Sequence, residues 1–167
     1  YFYRTPRVWT HFNEVFVPAF TQKVRGRAMR VWSAAASTGE EAHTIGVCLE
    51  EVRQRSEGFD YSILGTDISS RVLDVAAAGT YKGRPVARFQ QTRPDLFERH
   101  MVGSDDDGWA VTPKIKSRIR FRQHNLLKPL TNTAPFDAIF LRNVLIYFKI
   151  QDQQTILAHV RTLLQPD

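Results

Sequence analysis

Short apolar runs and longer stretches with helical spacing alternate along the first half of the chain. Strands are predicted at residues 30–33 and 61–65, each a short run rich in apolar side chains. Helices are predicted to follow them, one beginning at Glu40 and one capped by Ser69 or Ser70. Strand and helix in alternation are typical of a parallel sheet, so the pattern predicts an α/β fold.

The chain begins with a helical pattern. Four aromatic residues recur at three- or four-residue spacing: Trp9, Phe12, Phe16 and Phe20. This spacing predicts an amphipathic helix over residues 8–20. Pro18 is expected to end or bend that helix, because proline lacks a backbone donor and clashes with the preceding turn. We therefore treat residues 1–22 as a segment that precedes the main domain at residues 23–167.

The second half of the chain interrupts the alternation once. A cluster of glycine, serine and aspartate residues predicts an antiparallel hairpin, inserted at about residues 97–118. Residues 84–94, just before it, are interpreted as a linker. Two more strands are predicted at residues 119–123 and 137–141, the second of the apolar kind buried on both faces of a sheet. A last helix is predicted at about residues 151–164.

Length, composition and charge narrow the possible functions. The chain has 167 residues with 43% hydrophobic content, which supports one globular domain rather than two. Its formal net charge is +6, and the basic residues are dispersed without a run of five like charges. Such a surface fits nucleic acid, anionic lipid or an acidic protein face equally well, and an ordinary solvated surface is the simplest interpretation.

The sequence shows no pattern of a metal site, a disulfide or a membrane span. Cys48 is the only cysteine, and no cluster of cysteine and histidine has the spacing of metal ligands. No stretch approaches the roughly 20 apolar residues of a membrane helix, and the first residues lack the pattern of a secretion signal. We therefore expect a soluble, cytoplasmic protein that does not insert into a membrane.

Features at the ends of the first two strands indicate a nucleoside site. Small residues from Ala34 to Gly39 let the backbone approach a ligand closely, and the next helix offers unpaired N–H groups. Asp67 follows the second strand, where a carboxylate can accept hydrogen bonds from both hydroxyls of a ribose. Tight packing of the loop and a helix cap at Asp67 are the structural alternatives, but the two features together favour a nucleoside pocket.

Polar residues also follow the later strands. His124, Asn125 and Leu126 come after the third predicted sheet strand, where an amide could bind an adenine edge and leucine could cover its face. As isolated residues they are more typical of an ordinary loop. Arg142 and Asn143 follow directly on an apolar strand, and burying such groups is costly unless they bind something. We therefore interpret this second pair as functional.

Three runs of sequence resemble one known family. They are Phe2-Tyr3-Arg4, residues 31–41 (VWSAAASTGEE) and residues 136–148 (FDAIFLRNVLIYF). Over nearly its whole length the chain is similar to the chemotaxis receptor methyltransferases, often called CheR. The resemblance implies a class I, Rossmann-like methyltransferase fold, with helices on both faces of a parallel sheet and a small antiparallel β subdomain. It also implies S-adenosylmethionine as methyl donor and glutamate side chains of chemoreceptors as acceptors.

The resemblance also implies roles for individual residues. The cofactor-binding residues would be Arg4, Glu40, Asp67, Asn125, Leu126, Arg142 and Asn143, and the small-residue loop adds Ala34 and Gly39 through its backbone. Glu40 and Arg4 would lie at the methionine end of the cofactor, Asp67 at its ribose, and the asparagine and leucine after the third strand at its adenine. Arg4 and Tyr147 are the implied catalytic residues, because they would position the acceptor carboxylate.

Methyl transfer to a carboxylate requires orientation rather than proton removal. A glutamate with a pKa of about 4.3 is already ionised at pH 7, so no general base is needed. The site must instead hold oxygen, carbon and sulfur in line and exclude water. Arg4 keeps its proton and cannot act as a base, whereas the Tyr147 hydroxyl is suited to orienting the carboxylate.

The chain departs from the family pattern at two positions. His43 stands where the family usually has an aromatic residue, and Leu141 where it often has cysteine. The family pattern also includes a helical domain before Phe2 and further strands after Asp167. Without such a strand, we expect the outer edge of the strand at residues 137–141 to be bare, which proteins normally avoid.

Two other functions stay open. A nucleic-acid methyltransferase would share the cofactor fold and the basic charge, although the charges are dispersed and no aromatic-rich acceptor motif follows the fourth strand. A binding module without catalysis could instead dock a partner on its hairpin. Some family members bind a receptor tail at this subdomain by strand addition. We expect a chemoreceptor, and no nucleic acid, as the partner.

Overall fold

Strands and helices alternate through most of the chain, as the apolar pattern predicts. The computed structural model describes residues 1–166. Its strands are β1 (Met29–Ser33), β2 (Tyr61–Asp67), β3 (Thr80–Tyr81), β4 (Met101–Ser104), β5 (Gly108–Val111), β6 (Ile119–Gln123) and β7 (Ala138–Phe140). Its α-helices are α1 (Pro6–His11), α2 (Val17–Lys23), α3 (Glu40–Arg55), α4 (Ser70–Ala78), α5 (Arg84–Thr92), α6 (Pro94–His100), α7 (Pro113–Lys116) and α8 (Ile150–Arg161).

Four parallel strands form the main sheet, in the order β6-β2-β1-β7. Ser33, the last residue of β1, is in register with Gly65 of β2 and Phe140 of β7, so the carboxyl ends of the strands lie at one edge. The chain winds outward from β1 in both directions, which places a topological switch point between β1 and β7. Ligands of open α/β sheets bind beside such a point. The predicted α/β fold is confirmed.

A second, antiparallel sheet has the order β3-β5-β4. β4 and β5 form the hairpin predicted within residues 97–118, and β3 adds a third strand in which Tyr81 is in register with Trp109. Gly103 has a φ of 138°, and a Cβ there would clash with the carbonyl oxygen of Gly108. The hairpin therefore needs glycine at this position.

The first helical segment continues through Pro18. α1 leads into a π-helical turn at Phe12–Phe16, and α2 follows directly. In a regular helix Pro18 would clash with the carbonyl of Glu14. The wider turn, in which the N–H of Val17 donates to the carbonyl of Phe12, accommodates the proline. Pro18 is therefore accommodated by a π-helical turn, and the helix continues to Lys23 instead of ending near residue 20.

Residues 84–94, expected to be a linker, are largely helical. α5 carries Pro85 in its first turn, where the missing N–H costs nothing, and it buries Val86 and Phe89 on one side. Phe89 stacks on Phe2 with 5.1 Å between ring centroids. The linker interpretation was wrong because basic and polar side chains separate the few apolar positions that form the buried face.

β7 lies at one end of the sheet. Ala138 and Ile139 are half-buried and only Phe140 is buried, so the expected burial on both faces holds in part. On the side away from β1, a parallel bridge joins Phe136 to Leu164 just beyond α8. Within residues 1–166 no other strand pairs with that side. Among the described residues, the outer edge of the strand predicted at residues 137–141 is therefore paired only at Phe136, the residue just before it.

α3 is the most deeply buried helix and links the two sheets. Every residue from 42 to 50 is buried, because the main sheet lies on one side of the helix and α7, the N-terminal segment and β3 pack on the others. A Cβ on Gly46 would lie 2.5 Å from the Ile115 side chain, so α7 approaches the backbone of α3 closely. In the described part of the chain, no helix combines the length and apolarity needed to cross a membrane.

Candidate active site

A cleft of about 360 Å³ lies at the carboxyl ends of β1, β2 and β7. Its lining comes from the N-terminal segment, the loop after β1, the end of β2 and the segment after β7. The lining residues are Tyr1, Arg4, Trp9, Ala35, Ala36, Ser37, Thr38, Glu40, Glu41, Asp67, Arg142, Asn143, Val144 and Tyr147. Six residues predicted from the sequence lie in this set: Arg4, Glu40, Asp67, Arg142, Asn143 and Tyr147. Residues more than 130 positions apart in the sequence thus share one cleft.

The loop after β1 is tied to both neighbouring strands. The N–H of Ala34 donates to the carbonyl of Phe140 at 2.9 Å. On the other side, the N–H of Ala36 donates to the carbonyl of Thr66 at 2.8 Å. Gly39 ends the loop with a φ of 93°, and a Cβ there would lie 2.7 Å from a side-chain carbon of α4. The small residues therefore serve tight packing, which holds the loop backbone in one position along the cleft.

Asp67 organises the cleft and keeps room for a ligand. One carboxylate oxygen accepts the N–H of Ser37 at 2.9 Å and the other accepts the N–H of Ser69 at 3.1 Å. Ser69, not Asp67, caps α4 through its side chain. A carboxylate has about four lone-pair positions, so two remain after these contacts. They can accept hydrogen bonds from two hydroxyl groups of a bound molecule.

Arg142 joins the segment after β7 to α3 and to the N-terminal segment. Its guanidinium donates to Glu41 at 3.2 Å and to the backbone carbonyl of Arg4, and it lies 5.3 Å from the ring centroid of Trp9. Burial raises the pKa of Glu41, while the hydrogen bond from Ser33 and the charge of Arg142 partly offset that effect. The half-buried Arg142 therefore has a protein partner in Glu41, which the sequence does not predict.

The segment after β7 forms an exposed rim. Asn143 adopts a left-handed conformation with a φ of 57° and turns the chain into a 3₁₀ helix at Leu145–Tyr147. The side-chain amide of Gln153 donates to the carbonyls at both ends of this turn, at 3.1 and 3.0 Å. Tyr147 itself is 80% exposed. Its hydroxyl is available to a molecule that approaches the cleft from solvent.

Four predicted site residues lie outside this cleft lining. Ala34 and Gly39 are taken up by the packing of the loop. Asn125 accepts the N–H of Leu127 through its side-chain oxygen, and Leu126 is buried in a second apolar cluster. The N–H of His124 donates to the backbone carbonyl of Asp67 at 2.8 Å. The turn after β6 therefore lies beside Asp67, next to the cleft.

A buried pair supports the loop from below. The Tyr81 hydroxyl donates to the carbonyl of Thr38 at 2.7 Å and lies 2.7 Å from Nδ1 of His43. Because the hydroxyl has one proton, Nδ1 of His43 is assigned as the donor to Tyr81. Nε2 then carries a lone pair, is buried without a hydrogen-bond partner among residues 1–166, and faces Gly79. Burial and the charge of Lys116 lower the pKa of His43 to about 4.

Several of these residues escaped the sequence interpretation. Trp9 and Glu41 line the cleft, and Tyr81 supports its loop, although none was singled out as a site residue. Tyr81 offers no local signal, since its partner carbonyl is 43 positions away. An arginine directly after an apolar strand does imply an acidic partner, and Glu41 in the first turn of α3 is a candidate.

The cleft can hold a polar ligand with a cationic or hydroxyl-bearing part. Glu40 and Asp67 supply carboxylate oxygens, and Thr38 donates to Glu40 at 2.6 Å, which fixes that side chain. The rigid loop backbone lies between the two acids. In residues 1–166 no group of three or more histidine, cysteine or acidic side chains is arranged to hold a metal ion.

Comparison with known sequences identifies close relatives. All of residues 1–167 match the family described as CheR methyltransferase, SAM binding domain. Chemotaxis protein methyltransferase Cher2 of Pseudomonas putida is 34% identical over 90% of this chain and 55% of its own length. Chemotaxis protein methyltransferase 2 of Pseudomonas aeruginosa is 37% identical, over 94% and 56% of the two chains. The Escherichia coli chemotaxis protein methyltransferase is 35% identical, over 86% and 50%.

The chain spans about half the length of the curated relatives it matches. Solved structures match its fold at low sequence identity. The methyltransferase domain of bacterial CtHen1 aligns over 94% of this chain and 62% of its own, with a TM-score of 0.51 and 14% identity. The glycopeptide N-methyltransferase MtfA complexed with S-adenosyl-L-methionine aligns over 89% and 48%, with a TM-score of 0.50 and 13% identity. The class I methyltransferase fold is confirmed.

Proposed function

Because this chain belongs to the CheR methyltransferase family, as its SAM-binding domain, we propose that it transfers a methyl group from S-adenosylmethionine to glutamate side chains of bacterial chemoreceptors. The cleft supports this proposal most directly, because it gathers Arg4, Glu40, Asp67 and Tyr147 at the carboxyl ends of the parallel strands. Arg4, Glu40 and Tyr147 belong to the runs that carry the family resemblance, and Asp67 is the last residue of the second strand. They lie up to 143 positions apart in the sequence and meet only through the fold.

The residues of the cleft fit the proposed cofactor. Asp67 has two free lone-pair positions, which suit the two hydroxyls of a ribose. Glu40 would hold the amino group at the methionine end, since its carboxylate is already fixed by Thr38. Asn125 and Leu126 would contact the adenine, because their turn lies directly beside Asp67. Ala34 and Gly39 would act through the position of the loop backbone.

The acceptor side needs positioning groups. S-adenosylmethionine, when bound, supplies a methyl group attached to a positively charged sulfur. Arg142 is engaged by Glu41, whereas Arg4 is fixed through its backbone carbonyl and keeps its guanidinium for the acceptor. Tyr147, on the exposed rim, would orient the second carboxylate oxygen. These two residues would hold the carboxylate in line with the methyl group without removing any proton.

The small antiparallel sheet provides a second contact for the same partner. β4 is an edge strand, since it pairs only with β5 within residues 1–166. Val102, in the middle of this strand, is 47% exposed. A receptor-tail peptide would add to this edge as a further strand, held by backbone hydrogen bonds. This contact would raise the local concentration of acceptor glutamates without entering the cleft.

Transfer of radioactive methyl groups tests the proposal. The full-length protein would be incubated with tritiated S-adenosylmethionine and either chemoreceptor-bearing membranes or total RNA. A glutamate methyl ester is cleaved by mild alkali, so receptor label should be released as volatile tritiated methanol. Receptors whose acceptor glutamates are replaced by alanine are the matched control and should stay unlabelled.

Two results would contradict the proposal. Alkali-stable label on RNA would show a nucleic-acid methyltransferase. Tight binding of S-adenosylhomocysteine with no transfer to receptor or RNA would show a binding module without catalysis.

A further inference from the structure

We propose that an acidic helical segment of the methyl acceptor docks on the exposed face of α5, where Arg84 and Arg88 bind carboxylates that flank the glutamate in the cleft. This inference rests on the proposed function, because it names where the acceptor of that reaction lies. We call the surface formed by Arg84, Ala87, Arg88 and Gln91 the α5 basic face.

Helix geometry places these four residues on one side of α5. They are spaced three and four positions apart, so their side chains share a face, and all four are exposed. The opposite side, with Val86 and Phe89, is buried in the core. Ala87 is small and lies between the two arginines, so another helix can approach the backbone closely there. Within residues 1–166 the α5 basic face is therefore exposed and supported by a buried opposite side.

The two arginines are free of acidic partners. Elsewhere in the structure several arginines contact an acid within 3.1 Å, as Arg27, Arg53, Arg99 and Arg118 do. In residues 1–166 neither Arg84 nor Arg88 makes such a contact, and Arg88 instead lies over the ring of Tyr1 at 3.9 Å. Each guanidinium group can donate two parallel hydrogen bonds to a carboxylate, a geometry that favours arginine over lysine.

The α5 basic face continues into the cofactor cleft. A groove of about 770 Å³ runs along α5, and Tyr1 and Glu40 line both this groove and the cleft. The guanidinium carbons of Arg88 and Arg4 lie 3.9 Å and 5.8 Å from the centroid of the Tyr1 ring. Glu40, the acid on this path, is only 13% exposed and is held by Thr38. A basic path thus leads from α5 to the proposed acceptor position.

The spacing of the arginines favours a helical, acidic polypeptide. Arg84 and Arg88 are one turn apart, about 6 Å along the axis, and glutamates four residues apart on a helix repeat at the same distance. A nucleic acid would need a longer continuous stripe of charge, whereas the other basic residues of this chain are dispersed. Charge complementarity therefore selects the acidic helix.

Charge reversal on α5 tests the inference. Arg84→Glu/Arg88→Glu, made in the full-length protein, should raise the KM for receptor-bearing membranes about tenfold, because two attractions become repulsions. The kcat at saturating receptor and the Kd for S-adenosylhomocysteine should stay within twofold of wild type. The matched control is Arg120→Glu/Arg161→Glu, which changes two exposed arginines and the same net charge elsewhere and should leave KM within twofold.

Four outcomes would overturn the inference. They are an unchanged KM, an equal rise of KM in the control pair, a loss of S-adenosylhomocysteine affinity that places the arginines at the cofactor, and an equal fall of kcat and cofactor affinity. Arg84→Gln/Arg88→Gln, which keeps helix-forming side chains, replaces the first variant if that one does not fold.

A binding measurement separates this inference from the proposed function. Co-sedimentation of the protein with receptor-bearing membranes, in the presence of S-adenosylhomocysteine, requires no methyl transfer. If wild type co-sediments and Arg84→Glu/Arg88→Glu does not, docking on α5 stands even where no methyl ester forms. If both co-sediment equally while wild type does form methyl esters, the proposed function stands and docking on α5 is wrong.

Discussion

The two walls of the cleft differ in how far their side chains are exposed to solvent. The loop wall, formed by residues 34–39 and Asp67, is fixed by backbone hydrogen bonds of 2.8 to 2.9 Å to β2 and β7 and by the buried Tyr81 hydroxyl beneath it. The rim, formed by residues 143–148, carries Ile146 and Tyr147 at 75% and 80% exposure. The loop wall is therefore preorganised for a ligand, and the rim faces solvent.

This difference indicates that the loop wall binds the cofactor and that the rim contacts the acceptor. A small ligand that is the same in every reaction benefits from a fixed, preorganised wall, because no ordering cost is paid on binding. A polypeptide acceptor must reach the same place from outside, so its contacts have to lie on an accessible surface. The comparison predicts that changes in the loop wall alter cofactor affinity, and that changes in the rim alter turnover.

Tyr147→Phe gives the largest effect expected from the comparison. The change removes only a hydroxyl on the rim, and turnover should fall about 100-fold, as it does when one positioned donor is lost from an active site. Affinity for S-adenosylhomocysteine should stay within twofold, and thermal stability should not change because the hydroxyl is exposed. Single-turnover kinetics and calorimetric titration measure the two quantities. Equal losses in both would move Tyr147 from the acceptor side to the cofactor pocket.

Asp67→Ala tests the loop wall. The free energy of S-adenosylhomocysteine binding should weaken by about 1 to 3 kcal/mol, because two hydroxyls lose a charged acceptor and Ser37 loses its partner. Turnover at saturating cofactor should fall less than affinity does. Asp67→Asn keeps one acceptor oxygen and the side-chain shape. Its affinity for S-adenosylhomocysteine in calorimetric titration should lie between those of wild type and Asp67→Ala. Unchanged affinity in the alanine variant would remove Asp67 from the site.

The sequence predicts the loop wall better than it predicts what supports it. Two strands, the small-residue loop and Asp67 are all local patterns, and their order along the chain implies a shared edge of the sheet. The contacts of Tyr81 with Thr38 and of Arg142 with Glu41 join residues 43 and 101 positions apart, and no local pattern encodes them. Such contacts depend on how the elements pack.

Misjudged elements show the same limit. The sequence does not predict the helix at Arg84–Thr92, because only Val86 and Phe89 mark its buried side, and Phe89 packs against Phe2 of the N-terminal segment. The side-chain oxygen of Asn125 accepts a backbone N–H of its own turn, which leaves the N–H groups of its amide for a ligand. A single sequence shows which groups are polar but not which are already satisfied.

His43 gives a smaller expected effect, at a position beneath the loop wall where it lies 2.7 Å from the Tyr81 hydroxyl. In the folded protein burial and Lys116 lower its pKa to about 4, whereas an unfolded chain has the ordinary value of about 6.5. Between these two pH values the unfolded state binds more protons than the folded state, so the free energy of unfolding decreases as the pH falls. Above about pH 6.5 His43 is neutral in both states and causes no such decrease. The loss from pH 7 to pH 5.5 should be about 1 kcal/mol.

His43→Phe should remove that loss, because phenylalanine has no proton to gain and fills the same apolar site. Urea unfolding at pH 7 and pH 5.5 measures it, with His11→Phe, at an exposed position, as the control that should keep the wild-type pH dependence. The same protonation would put a charge beside the Tyr81 hydroxyl that holds Thr38, so cofactor affinity at pH 5.5 should fall in wild type more than in His43→Phe. If both proteins lose stability and affinity equally on acidification, His43 does not couple the buried core to the loop wall, and the firmness of that wall has its source in the strand contacts alone.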